Sequence, residues 1–270
     1  MQTILGVANM AKSVYYYQLG AGSKADPYRE VKESIKTIYH RHKGRYGYRR
    51  VQEELGHQNC YLNPKTVQKL MGRLHLKSTV RPKRYQSYKG PEGKAAPNLL
   101  ERKFSAAKPN QKWVTDVTQF NVLGHKVYLS PVLDLYNQEI ISYEIADRPQ
   151  MNMVMQMLQK AFKRLQSKDK PMLHSDQGWH YRIAPYQQML KQKGITQSMS
   201  RKGNCLDNAV MENWFGMMKT EFFYQEKFET IESFKQGLHE YIHYYNHDRI
   251  KQKLKGLSPV QYRTQSLLVT

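Results

Sequence analysis

Cysteine is nearly missing from this chain. Cys60 and Cys205 are the two among 270 residues, too few for a disulfide framework or a four-thiolate metal site, and such usage fits a reducing cytoplasm. Long apolar runs are missing too. No stretch approaches the ~18–20 residues a membrane span needs, and the first thirty residues carry no signal-peptide pattern. There is no internal repeat, no low-complexity tract, and no GxxxxGK[ST] loop or GxGxxG fingerprint for nucleotide-driven chemistry. Acid is scarce as well, with 22 Asp and Glu against 43 Lys and Arg, a net charge of +21.

What is present is ordinary for a folded protein: 40% apolar and 24% charged residues, room for one large domain or two modest ones. The basic excess is uneven. Residues 1–105 carry 21 basic and 7 acidic side chains, and residues 106–270 carry 22 and 15. A chain under that self-repulsion calls for a polyanion, which makes nucleic acid the favoured partner over a protein merely kept soluble by lysines.

The pattern divides the chain into zones. Residues 1–26 read as an N-terminal helical segment. Over 27–76, Val31, Ile35 and Ile38, then Val51 and Leu55, then Val67, Leu70, Met71 and Leu74 recur at helical spacing. Gly44 and Gly47 separate the first two helices, and Asn63-Pro64 caps and opens a third over 64–75. Three short helices are the minimum for a helix-turn-helix. The third carries Lys65, Lys69 and Arg73 as one stripe, suited to lie against phosphates, and Arg49 and Arg50 add to the basic surface. Residues 77–110, with Arg81-Pro82-Lys83-Arg84 and Lys89-Gly90-Pro91, read as a flexible basic linker.

From Lys112 the period becomes that of strands. Trp113–Phe120, Tyr128–Asp134 and Ile140–Ile145 form a three-strand meander. A helix over 151–167, a strand over 171–174, a helix over 184–193, a strand near 196–199 and helices over 207–225 and 230–246 follow. This predicts an α/β domain over 111–225, a mixed five-stranded sheet flanked by helices, with a C-terminal helical extension over 226–270.

Three acids stand apart from basic neighbours. Asp116 lies within an apolar strand, Asp176 just past a strand end, and Glu212 among Ala209, Val210, Met211, Trp214 and Phe215. Lone charges in such surroundings are costly, so they should share a cation. Carboxylates without a His or Cys cluster favour magnesium or manganese. Two such ions, Asp116 bridging them, would suit phosphoryl transfer. Asp134, also at a strand end, reads as structural. Asp207 is the expected N-cap of helix 207–225. Lys219, seven residues after Glu212, shares its face and would meet a DNA phosphate. The loop before that helix, with Arg201 and Lys202, is basic and suited to close over a substrate strand.

These residues resemble a known signature. Trp113-x-Thr115-Asp116, His174-Ser175-Asp176-Gln177-Gly178-x-x-Tyr181, and Asp207-Asn208-Ala209-x-x-Glu212 with Lys219-x-Glu221 resemble the DDE transposases of bacterial insertion sequences. The likeness is to the second-frame products of the IS-three family, whose core is retroviral-integrase-like. Thirty-five residues separate Asp176 from Glu212, which is that family's spacing. Tyr46-Gly47-Tyr48-Arg49-Arg50 with Asn63-Pro64-Lys65-Thr66-Val67 resembles its helix-turn-helix. Tyr244-Tyr245-Asn246-x-x-Arg249 and Leu257-Ser258-Pro259 resemble its final segment.

The resemblance implies an RNase H-like core and metal ligation by Asp116, Asp176 and Glu212. It implies cleavage at element ends by water, then transfer of the freed 3′-hydroxyl into target DNA. Lys219, Arg201 and Lys202 would hold DNA backbone, and Trp113 and His174 would pack and orient the site. It further implies double-stranded DNA as partner, both terminal repeats and target, a homodimer or higher oligomer on DNA, and a cytoplasmic, nucleoid-associated location away from membranes. The abrupt start reads as a second frame that works as a fusion or partner of a first-frame product. His40, His42, His57 and Cys60 lack the second cysteine of the zinc domain in retroviral integrases. Two other readings stay open on the residues: an RNase H-like nuclease that does not join ends, and a catalytically silent DNA-binding regulator.

Overall fold

The computed structural model describes residues 11–22, 26–80 and 96–268. The basic runs 81–84 and 89–91 of the expected linker lie outside the described residues, as do residues 1–10 and 23–25 of the expected N-terminal helical segment. The chain divides into two units, Met1–Ser78 and Thr79–Thr270.

The first unit holds α1 (Lys12–Gly22), α2 (Arg29–Arg41), α3 (Tyr48–His57) and α4 (Pro64–Arg73). Ile35 and Ile38, Val51 and Leu55, and Val67, Leu70 and Met71 are the buried faces of the last three. Lys43 and Gly44, both at positive φ, turn the chain between α2 and α3. His42 stacks on Tyr46 at 3.8 Å. Asn63 accepts the Lys65 N–H at 2.9 Å, with Pro64 in the first turn of α4. That cap satisfies one of the amides a helix start leaves open.

The second unit is built on one six-stranded sheet: β1 (Lys112–Thr115), β2 (Thr118–Val122), β3 (His125–Asp134), β4 (Ile140–Ala146), β5 (Met172–Ser175) and β6 (Thr196–Met199). β4 pairs with one side of β3, while β1 and β2 lie end to end along its other side, all antiparallel. β5 joins β1 in parallel, and β6 joins β5 in parallel.

The sixth strand arises because the stretch expected as one strand over 113–120 is broken at Asp116 and Val117. Continuing the register places Asp116 opposite Pro131, which has no N–H, and the Pro131 carbonyl takes the Thr115 hydroxyl at 2.8 Å.

Helices cover both faces. Val114, Phe120, Leu129 and Leu133 pack with Met211, Trp214, Phe215 and Met218 of α8 (Ala209–Met218), and with Phe234, Leu238 and Tyr245 of α9 (Ile231–His247). Trp113, Val132 and Leu173 point the other way. They meet Met153, Met157 and Leu158 of α5 (Met151–Phe162), Tyr181 of α6 (Trp179–Arg182), and Tyr186 and Leu190 of α7 (Ala184–Gln192). A last helix, α10 (Pro259–Leu268), lies within the stretch expected to be helical over 226–270.

Three expectations need correction. Residues 96–110 are not a flexible connection. Leu100 is buried, the Leu99 and Leu100 amides donate to Ser198 Oγ, and Met199 N–H donates to the Pro97 carbonyl, which ties this stretch beside β6. Residues from 226 onward are not an extension, since α9 supplies a large part of one core face. Helix 207–225 is three pieces: a 3-10 turn at Cys205–Asn208, α8, and a π turn at Lys219–Phe223. The π turn opens where the Thr220 hydroxyl donates to the Gly216 and Met217 carbonyls and competes with the helical ladder.

Candidate active site

Asp116 and Asp176 come together through strand register. Val114 pairs with His174 in the parallel β1–β5 ladder, so each aspartate follows the same two residues past that pair. They sit side by side at the carboxyl ends of adjacent parallel strands, roughly 5 Å apart in the sheet direction, where open α/β sheets bind their ligands. Asp116 Oδ1 accepts the Val117 N–H at 2.7 Å. Asp176 Oδ1 accepts the Gly178 N–H at 2.9 Å. Space at Gly178 is tight: a Cβ there would lie 3.0 Å from Asp176 Oδ1 and 3.3 Å from Tyr181 Cδ2, so a neighbour would have to give way by a few tenths of an ångström. Glu212 arrives from α8, whose start is fastened to the end of β1 by Asn208 Nδ2 donating to the Thr115 carbonyl at 3.4 Å.

The electrostatics couple the three. Burial first, then the charge of Asp176 and that of Glu212, push the Asp116 carboxyl well above the usual range, while Lys219 pulls it down. Burial also raises Asp176, tempered by the Gly178 amide and by His180 and Arg182. Glu212 is raised by burial and by Asp176. Burial lowers Lys219, against the pull of Asp116. Its Nζ stands 5.3 Å over the Phe120 ring.

Among the described residues, none of the three carboxylates makes an ion pair, and the second oxygen of each aspartate and both oxygens of Glu212 carry no hydrogen bond. This all-oxygen donor set, short of positive charge, fits a hard divalent cation. The acids are not drawn to chelating distance: no three His, Cys, Asp or Glu groups among the described residues stand close enough to hold one ion. Like charges without a counter-ion repel.

The supporting residues differ from expectation in two places. Asp207 does not cap α8. Its buried carboxylate is held by Arg201 at 2.9 and 3.0 Å, by Arg102 Nε at 2.8 Å and by Asn98 at 2.9 Å, which keeps it far below the usual carboxylate range. Arg201, expected on DNA, is thereby engaged by Asp207 and braces the loop expected to close over a substrate strand. Lys202 remains on the exposed turn beside Gly203.

His174 is fully buried between Ser198 Oγ at 2.8 Å and Ser200 Oγ at 3.1 Å, and burial pushes it down to about 4, so it is neutral at pH 7. Trp113 is fully buried beneath the site. In the first unit, Lys65, Lys69, Arg73 and Arg49 are exposed, whereas Arg50 lies 5.5 Å over the Tyr46 ring.

Sequence reading quoted Glu221 and Arg249 without giving them a role. They form a buried ion pair at 2.5 and 2.7 Å, joined by the Tyr241 hydroxyl at 3.0 Å. An acid and a base 28 residues apart leave no periodic signal; only their position among aromatic core residues hints at burial.

Comparison with known proteins gives the family. The integrase core domain family matches residues 106–205, a second integrase core domain family matches 212–267, and an HTH-like domain family matches 27–84. The putative transposase InsK of insertion sequence element IS150 from Escherichia coli K12 is 54% identical over 268 residues, 99% of this chain and 95% of that protein. The chain belongs to the insertion-sequence transposases. The transposase of IS904 from Lactococcus lactis is 34% identical over 244 residues, 89% of this transposase and 96% of that one. The catalytic core of HTLV-2 integrase in complex with magnesium aligns with a TM-score of 0.47 at 15% identity, over 58% of this transposase and 98% of that chain.

This transposase therefore joins an HTH-like helical domain to an integrase-type core, acts on DNA as a DDE polynucleotidyl transferase, and depends on divalent metal. The nuclease-only and silent-regulator readings are not favoured. No helix among the described residues is long and apolar enough to cross a membrane.

Proposed function

We propose that Asp116, Asp176 and Glu212 are the catalytic carboxylates of this transposase and would hold Mg2+ or Mn2+, two ions in the substrate-bound state. The observation that carries this reading is the juxtaposition of two aspartates on neighbouring parallel strand ends with a helical glutamate that shares their electrostatic field. When bound, the ions would activate the attacking oxygen and neutralise charge on the phosphoryl group.

The chain's own residues orient the rest. The Val117 and Gly178 amides fix one oxygen of each aspartate and leave the other without a hydrogen bond. Lys219, half-buried beside Asp116, holds a backbone phosphate of the reacting strand, and Lys202 adds a second contact. Neutral His174 locks the end of β5 to β6 without adding charge. Water attacks the phosphodiester at the element end and leaves a 3′-hydroxyl, which then attacks a target phosphodiester and expels the target 3′-oxygen.

Residues 27–76 dock the terminal repeat through Lys65, Lys69, Arg73, Arg49 and Arg50. Two ends must meet one target, so the working form is a dimer or higher oligomer on DNA, alone or with a first-frame product. Its place is the cytoplasm, at the nucleoid.

The test is strand transfer of an end-mimicking oligonucleotide, with Mg2+ or with chelator. Asp116→Asn and Glu212→Gln should each lower cleavage and joining by at least a thousandfold, about 4 kcal/mol at 1.4 kcal/mol per decade, while DNA affinity stays within severalfold of wild type. Either variant joining at the normal Mg2+-dependent rate removes that residue from the site.

A further inference from the structure

The chemistry above leaves the Tyr181 hydroxyl without a task. Tyr181 is 1% exposed, its ring set among Trp113, Leu173 and Met199, with Tyr186 edge-on at 5.4 Å. The backbone is pinned: its N–H donates to the Gly178 carbonyl at 3.0 Å, and its carbonyl accepts from Gln197 at 2.7 Å. Its ring edge and Asp176 Oδ1 converge on the same side of Gly178, so the ring lies against the Asp176 turn.

Burial, then the charges of Asp116 and Asp176, push the Tyr181 phenol well above the usual range, and Thr115, the residue before Asp116, tempers that. The phenol oxygen nevertheless meets no hydrogen-bond geometry. The Thr115 hydroxyl is already directed at the Pro131 carbonyl. A buried donor without an acceptor is costly and rare in native proteins. Asp116 and Asp176, the nearest ionisable acceptors to this turn, each keep a second oxygen that carries no hydrogen bond. Tyr186 has an equally unpartnered hydroxyl, but it is the Tyr181 ring that lies against the Asp176 turn.

We propose that Tyr181 is a positioning residue whose hydroxyl donates to the Asp116–Asp176 pair when both acids are ionised around a divalent cation. It thereby fixes which carboxylate oxygens face the ion. The proposal rests on the carboxylate assignment above. It also explains why an aromatic with a hydroxyl stands three residues after Gly178, where packing alone would be met by phenylalanine.

The experiment is a thermal-shift titration of the full-length protein with Mn2+ and, separately, Mg2+, comparing wild type, Tyr181→Phe and Asp116→Asn. In chelator, Tyr181→Phe should melt at the wild-type temperature or slightly above, because an unpartnered hydroxyl has been removed. The Mn2+ midpoint should rise about three- to tenfold, the effect of losing one hydrogen bond at a charged site. In strand transfer at fixed Mg2+, kcat should fall while the KM for the oligonucleotide is unchanged.

A Tyr181→Phe titration that superimposes on wild type overturns the proposal. So does a lowered melting temperature in chelator, since the hydroxyl would then be bonded within the metal-free protein. If wild type gains no stability from either ion, the carboxylate assignment fails and Tyr181 falls with it. If wild type responds, Asp116→Asn does not, and Tyr181→Phe matches wild type, only the tyrosine proposal fails.

Discussion

Burial and the negative charge of Asp176 both push the Asp116 carboxyl toward its protonated form, so ionising it weakens the metal-free fold. Its folded pKa lies above the unfolded value of about 3.9. The penalty is therefore absent below about pH 4 and grows as pH rises toward the folded value. Asp116→Asn keeps the oxygen that accepts the Val117 amide and loses the charge. In chelator at pH 7 it should be more stable than wild type by on the order of 1 kcal/mol, about 2–4 °C for a unit of this size. The gap should close toward pH 4. Calorimetry across that range checks it, and equal melting at pH 7 would mean the carboxyl carries no such penalty.

Asp207 is the same residue type under opposite forces. Arg201 and Arg102 stabilise its ionised form and make it structural. The sequence distinguishes the two acids poorly, because the partner Arg102 lies 105 residues away. Glu212 stands out in the sequence for a local reason: Ala209, Val210, Met211, Trp214 and Phe215 around it are apolar.

At the level of elements, side-chain alternation survives a break in the backbone, which is why β1 and β2 read as one strand. The interruption is written in Pro131, on the opposing strand, and becomes visible only with the pairing register. The stretch 96–110 misleads in the reverse direction. Its lysines and prolines look like linker, while one buried leucine and the Asn98 amide bind it to the core.

The junction of α8, the π turn and α9 carries the strongest energetic demand. Glu221 and Arg249 are both nearly fully buried, so removing one partner leaves an uncompensated charge in the core. Arg249→Met alone should lower stability by about 3–5 kcal/mol, and adding Glu221→Leu should restore at least half of that loss, since apolar replacements of buried pairs are often neutral. Urea unfolding followed by far-ultraviolet circular dichroism measures both. A double variant no better than the single one would place the cost in lost packing and not in the stranded charge.

For the whole molecule, the net charge of +21 calls for a polyanion without saying which lysines touch it. Docking and chemistry are assigned to different units and are separable by their response to salt. Each phosphate contact releases condensed counterions, so the slope of log affinity against log salt loses about 0.9 for every contact removed. Lys65 and Arg73 are exposed on α4 and make no ion pair among the described residues. Lys65→Ala and Arg73→Ala should each flatten that slope by about 0.9 and weaken binding at low salt, and the double variant should flatten it by about 1.8. Asp116→Asn should leave the slope in place while abolishing joining. Fluorescence anisotropy of a labelled end duplex from 50 to 300 mM KCl supplies the slopes. An unchanged slope in the α4 double variant would take that helix off the phosphate backbone and assign the electrostatic work to other basic residues.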